Sequence, residues 1–133
     1  MKLQSKEKFS FLQLAHYLAR VDSKYGPREE EILLEYCTEM GIENLDSFDS
    51  ENFSLDGILK DFKSEQSKRI VILELMILIH IDHTFHLNEQ KLMQQISQNF
   101  GINLEDVNDY SQWGKSVAML YEVAKIFINE KKI

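Results

Sequence analysis

Residues 70–81 read IVILELMILIHI, and the predicted fold is built around this apolar segment. It contains one charged residue, Glu74, and one histidine, His80. Because no polar stripe runs along it, the segment should be covered by protein on every side. It is too short to cross a membrane, which needs about 20 apolar residues in a row. No second run of strand type exists to pair with it, so we predict a central buried helix that begins near Ser64.

The composition predicts a single domain. The chain has 133 residues, of which 44% are hydrophobic, and single domains are most often of about this size. Its net charge of −7 repels phosphate groups, so nucleic acid is not expected as a partner. The one cysteine, Cys37, falls on an apolar helix face and cannot form an internal disulfide, which favours a reducing compartment. Since the N-terminal residues lack the apolar run of a signal peptide, we expect a cytoplasmic protein without membrane insertion.

Apolar residues elsewhere recur at helical spacing, and no segment alternates as a strand would. A first helix is predicted over residues 6–21, and a second begins at Pro27, since helices accept proline in their first turn. Glycines at positions 41 and 101 are expected to end two helices. The fold class is therefore all-α, a compact bundle of roughly six to eight helices.

The C-terminal segment is predicted to close this bundle. A short helix is expected near residues 104–110. Before the central helix we expect a loop at residues 43–56 that contains one short helix, followed by another short helix at 58–62. The last helix then carries one apolar stripe that we expect to face the core. The stripe consists of Trp113, Val117, Leu120, Tyr121, Ala124, Phe127 and Ile128.

The chain contains an internal similarity at an offset of 60 residues, which places residues 11–42 on residues 71–102. The matched pairs are Leu18 with Leu78, Asp22 with Asp82, Tyr25 with Phe85, and Glu29 with Glu89. Shared hydrophobic patterns alone would prove little. The repeated spacing from Asp to Glu is more informative. It predicts two helix-loop-helix pseudo-repeats related by a pseudo-twofold axis.

The repeated carboxylates suggest a metal site. Asp22 and Asp82 each lie near the C-terminal end of a helix, where the local potential is negative and a carboxylate needs compensation. Glu29 and Glu89 follow in the first turn of the next helix, so one loop can direct both acids to a common point. Hard divalent cations favour such oxygen ligands. Calcium, magnesium or manganese is expected in preference to zinc.

A second interpretation of the same residues remains open. Glu29 and Glu89 occupy the third helical position, where a glutamate caps the preceding backbone N–H. The two aspartates would then close turns. The loop is not an EF-hand, because counting from Asp22 the third and fifth oxygen positions hold Lys24 and Gly26.

At these residues the chain resembles the TerB (tellurite resistance protein B) family, which includes the N-terminal domain of the DjlA co-chaperone. The resemblance covers about residues 8–128. The resemblance rests on a pattern that occurs twice in this acidic chain. The pattern is an apolar helix followed by Asp, a short polar loop, Glu and an amphipathic helix. It implies a helical fold, a link to bacterial stress and tellurium-oxyanion resistance, and divalent-metal binding by acidic residues. The family's Asp falls on Asp22 and Asp82, and its Glu on Glu29 and Glu89.

The chain departs from the family pattern at one point in each loop. The family usually has glycine directly after the aspartate, whereas this chain has Ser23 and His83 there.

Three histidines near the end of the central helix could suggest zinc. His80, His83 and His86 lie within seven residues that cross a helix end, so they are expected to be solvated loop histidines rather than converging ligands. No phosphate-binding glycine loop, nucleophile elbow or cysteine-based site is present. We therefore expect no catalytic residue and no enzyme activity.

Two functions follow from these features, and a third class, a metal-dependent enzyme, stays open only through the histidine cluster. The first is a non-enzymatic TerB-like domain that binds a divalent cation and serves as an adaptor in a stress or tellurite-resistance-type response. The alternative is a co-chaperone-like helical domain that binds proteins without a metal. Protein partners are expected in both cases. The sequence leaves the oligomeric state open.

Overall fold

The computed structural model describes residues 3–21, 27–40, 53–81 and 87–130. Within these ranges the chain is all-α, as predicted, with six helices and no strand. The helices are α1 (Ser5–Arg20), α2 (Pro27–Met40), α3 (Leu55–Leu59), α4 (Glu65–Ile81), α5 (Leu87–Phe100) and α6 (Leu104–Glu130). None of the helices in the described ranges combines the length and apolar character needed to cross a bilayer.

Helix α4 contains the apolar segment of residues 70–81. Its N-terminus lies next to Ser64, whose Oγ accepts a hydrogen bond from the Ser67 N–H at 3.0 Å. The helix packs most extensively against α6 and also contacts α1 and α5. Between residues 70 and 81 its buried side chains are Ile70, Val71, Ile72, Leu75, Met76, Ile77, Ile79 and Ile81.

Helices α1 and α5 cover this core as their patterns predict. In α1 the residues Phe11, Leu14, Ala15 and Leu18 are all buried. In α5 the buried apolar residues are Leu92, Met93, Ile96 and Phe100.

Gly101 ends α5 as predicted. Its φ is +73°, a left-handed conformation that residues with a Cβ adopt only with strain. This turn allows the Ile102 N–H to donate to the Ser97 carbonyl at 2.9 Å, which satisfies a carbonyl of the last helical turn. Residue 41, the other predicted terminator, lies outside the described residues.

Helix α3 begins earlier than predicted. The expected short helix at 58–62 is found at Leu55–Leu59. The reason is its cap, because the Ser54 Oγ accepts a hydrogen bond from the Gly57 N–H at 3.2 Å.

Helix α6 differs from the prediction in two ways. The short helix near residues 104–110 and the last helix form one continuous helix of 27 residues. The predicted core-facing stripe is also wrong, because six of its seven residues are exposed and the seventh, Val117, is only half-buried. The buried residues of this helix include Val107, Gly114 and Ala118.

Gly114 explains which face of α6 is buried. A Cβ built on Gly114 would lie 2.7 Å from the Met76 Cβ and 2.8 Å from the Met76 carbonyl carbon. Glycine therefore allows the backbones of α4 and α6 to approach more closely than any larger residue would. This approach turns the small residues Gly114 and Ala118 towards α4. Most of the bulky apolar residues of α6 are exposed as a result.

Candidate functional site

The end of α1 and the start of α5 meet in the structure. The Asn88 side-chain amide donates a hydrogen bond from Nδ2 to the Val21 carbonyl oxygen at 3.3 Å. Val21 directly precedes Asp22, and Asn88 directly precedes Glu89. The contact thus joins the two halves of the proposed duplication at their acidic ends. Sequence analysis did not identify Asn88, since the residue lies outside the repeated Asp and Glu pattern.

The four predicted metal ligands are described to different extents. Asp22 and Asp82 lie outside the described residues. Glu29 is in the first turn of α2, and its side chain is also outside the description. Glu89 is the third residue of α5 and is buried, with 7% of its surface exposed. Within the parts of the chain that are described, no three His, Cys, Asp or Glu side chains are grouped to hold a metal ion.

Helix α1 shows how this chain uses a glutamate at the third helical position. The Gln4 N–H donates a hydrogen bond to the Glu7 Oε1 at 2.9 Å, and Glu7 is buried. This is one half of a capping box, in which the glutamate satisfies a backbone donor at the helix start. Glu29 and Glu89 occupy the same position in α2 and α5. Capping is therefore a role that a glutamate in this position already has in the molecule.

His80 is not the solvated loop histidine that we expected. It lies in the last turn of α4 and is half-buried, and its Nε2 is 2.9 Å from the Ser111 Oγ of α6. Burial lowers the pKa of His80 from its ordinary value, and the positive charge of Lys115 lowers it further. The neutral imidazole is thus favoured at the contact of α4 with α6. His83 and His86 lie outside the described residues.

This pKa shift predicts a dependence of stability on pH. Since the folded pKa of His80 is below its unfolded value of about 6.5, its contribution to stability is complete above that value. The contribution is lost as the pH falls through the folded pKa, because the unfolded chain then binds the proton more readily. The free energy of unfolding of the wild type should fall between neutral and acidic pH, and we expect it to fall less in His80→Gln. Urea denaturation at several pH values measures this difference.

Lys115→Gln provides a graded control for this prediction. It removes the smaller cause of the pKa shift and leaves burial in place. We therefore expect it to change the pH dependence of stability less than His80→Gln does. Parallel pH profiles for the wild type and His80→Gln would contradict the role assigned to His80.

Cys37 is buried in α2, as predicted. Burial raises the pKa of its thiol, which keeps it protonated at neutral pH. Because the thiolate is the nucleophilic form, Cys37 has the character of a small buried apolar residue and not that of a catalytic nucleophile.

A groove of about 420 Å³ lies between α2 and α6. Its wall includes apolar side chains from both helices and from the end of α4, together with two carboxylates and one amine. The residues that line it are Leu34, Glu35, Thr38, Ile81, Tyr121, Glu122 and Lys125.

Helix α6 also carries an extensive exposed apolar surface, which includes five residues of the stripe that the sequence predicts to face the core. Each of its residues has between 39% and 69% of its surface exposed. We call this set the α6 apolar surface: Trp113, Met119, Leu120, Tyr121, Val123, Ile126, Phe127 and Ile128. The pair of small residues at positions 114 and 118 is the sequence signal that could have identified the opposite, buried face.

Comparison of the chain with protein-family models, with curated proteins and with solved structures finds no match.

Proposed function

We propose that this protein is a TerB-like, non-enzymatic domain that binds a divalent cation through its duplicated acidic loops. In this role it would act as an adaptor in a bacterial stress or tellurite-resistance-type response. The observation that carries the proposal is the hydrogen bond from Asn88 to the Val21 carbonyl. It places Val21, the residue before Asp22, in contact with Asn88, the residue before Glu89.

This contact suggests how the four carboxylates are paired. Asp22 would act with Glu89 of the other repeat, rather than with Glu29 of its own loop. The pseudo-twofold relation would pair Asp82 with Glu29 in the same way. Each pair would combine a carboxylate that follows one helix in the sequence with a carboxylate from the first turn of another helix. A cation would offset the unfavourable field on the aspartate and draw oxygen ligands from both units.

The helix boundaries support the duplication on which this pairing depends. A shift of α1 by 60 residues gives 65–80, and α4 spans Glu65–Ile81. The same shift of α2 gives 87–100, which are the bounds of α5. Buried positions coincide as well, since Phe11, Leu12, Ala15, Leu33 and Cys37 correspond to Val71, Ile72, Leu75, Met93 and Ser97, and all ten are buried.

A melting experiment tests cation binding. A cation that binds only the folded chain raises stability by RT ln(1 + [L]/Kd), which is about 2.7 kcal/mol at one hundred times Kd. We expect calcium, magnesium or manganese to raise the melting temperature of chelator-treated protein. The double variant Asp22→Asn with Asp82→Asn should lose this increase. Asp56→Asn, an exposed residue of α3, is the matched control and should keep it.

The same experiment separates cation binding from helix capping. If Glu89 is only a cap, Glu89→Ala should cost roughly 0.5–2 kcal/mol whether or not a cation is present. A flat response of the folded wild-type protein to every divalent cation would refute the metal site. An increase with zinc alone, removed by His83→Ala, would assign binding to the histidines instead.

The second candidate function is a protein-interaction domain without a metal, of the co-chaperone type. The groove between α2 and α6 favours it, because a concave surface with apolar walls and a few polar groups is typical of binding sites. A flat cation response would leave this function as the better supported one.

A further inference from the structure

The α6 apolar surface lies mainly on the side of α6 away from α4, although Tyr121 at its edge also lines the groove with Ile81 of α4. At about 100° per residue, its eight members cover a little more than half of the helix circumference. Gly114 and Ala118, which are buried against α4 and the core, lie on the opposite side. The exposure is substantial, since Leu120 and Phe127 are 67% and 69% exposed. This half of α6 therefore presents a largely exposed apolar face.

The area of this face is suited to a stable protein contact. Aliphatic side chains contribute about 60–120 Å² each and aromatic ones about 150–250 Å² when fully exposed. With the observed exposed fractions, the eight residues present roughly 400–700 Å² of apolar area. A standard interface buries about 800 Å² per partner, and about 56–65% of that area is apolar. The α6 apolar surface thus supplies the apolar part of one side of such an interface.

The charge distribution favours a second copy of the chain as the partner. Residues 113–130 hold two lysines, Lys115 and Lys125, and two glutamates, Glu122 and Glu130, so their formal charge is zero. The whole chain carries −7, and this negative charge therefore lies elsewhere. Two copies can bring these helix halves together with little like-charge repulsion, whereas most other faces would repel each other.

We propose that the C-terminal half of α6 pairs with the same segment of a second copy and forms a twofold dimer. An apolar face without internal charges is self-complementary, as an isologous contact requires. Leu120 and Phe127, seven residues apart and the two most exposed members, are its central anchors. None of the residues proposed to bind a cation belongs to α6, so this inference and the proposed function can fail separately.

Analytical ultracentrifugation of the full chain, from low to high micromolar concentration, tests the dimer. We expect the wild type to approach twice the monomer mass of 15.7 kDa. Leu120→Glu with Phe127→Glu should weaken association by about thirtyfold or more, the loss expected when anchor residues are removed. Leu104→Glu is the matched control, because Leu104 lies on the same helix and is 64% exposed but is outside the α6 apolar surface. It should dimerise as the wild type does.

A second measurement does not depend on any variant. Trp113 is the only tryptophan and belongs to the α6 apolar surface. Its fluorescence emission should shift to shorter wavelength as the wild-type concentration rises through the dissociation constant.

Three results would overturn the proposal. They are a wild type that stays monomeric at all concentrations, association that survives the double variant, and growth beyond a dimer. A monomer that binds vesicles of anionic lipid through the same two residues would identify a membrane surface as the occupant and would also overturn it.

Discussion

Replacing Gly114 with valine is expected to lower the free energy of unfolding by about 3 kcal/mol or more, the upper end of the usual cost of overpacking. The added Cβ would lie 2.7 Å from the Met76 Cβ and 2.8 Å from its carbonyl carbon. The second of these atoms is backbone, which cannot move aside as the end of a flexible side chain can. Accommodation therefore requires α4 and α6 to separate along their contact.

Gly114→Ala makes this prediction sharper. In an open helix, alanine is more favourable than glycine by about 1 kcal/mol. Here we expect it to be destabilising, although less so than valine. Urea denaturation at one fixed protein concentration measures all three proteins. Ser116→Val, an exposed site on the same helix, controls for the β-branched side chain and should change stability by only a few tenths of a kcal/mol. An alanine variant more stable than the wild type would show that the two backbones are not in close contact.

Leu75→Ala is the second large effect, with an expected loss of about 2–5 kcal/mol. Leu75 lies in α4 and has no exposed surface. Its removal deletes buried methyl groups and leaves a cavity that the surrounding helices can fill only in part. For a single domain whose total stability is about 5–15 kcal/mol, this loss can unfold much of the population.

Leu87→Ala is the matched control for this cavity. Leu87 begins α5 and is 64% exposed, so its truncation should change the unfolding free energy by no more than about 0.5 kcal/mol. Chemical denaturation of both variants under identical conditions gives the comparison. Equal losses at the two positions would show that α4 is not the buried helix described here.

The positions of most helices could be predicted from the amino-acid sequence. Local signals are sufficient for this, since the Pro27 start, the Ser64 cap and the left-handed turn at Gly101 each act through neighbouring backbone groups. Composition also predicts burial of residues 70–81, because a segment apolar on every side has no face to present to water. Eight of these twelve residues are buried, and Leu73, Glu74, Leu78 and His80 are half-buried. The repeated Asp-to-Glu spacing also makes Asp22, Glu29, Asp82 and Glu89 candidate ligands, and this stays a prediction.

Which helix surfaces contact each other could not be predicted from the sequence. The apolar stripe of α6 predicted a core-facing side, but hydrophobic periodicity records which residues are apolar and not which neighbour is available to cover them. At Gly114 the backbone of α6 approaches the backbone of α4 closely. The face of α6 with the small residues Gly114 and Ala118 is therefore buried in place of the apolar stripe. The contact of Asn88 with Val21 joins residues 67 positions apart, and no local pattern encodes such a pairing. Both outcomes depend on how whole helices pack, because packing is set by the shapes of all the helices together.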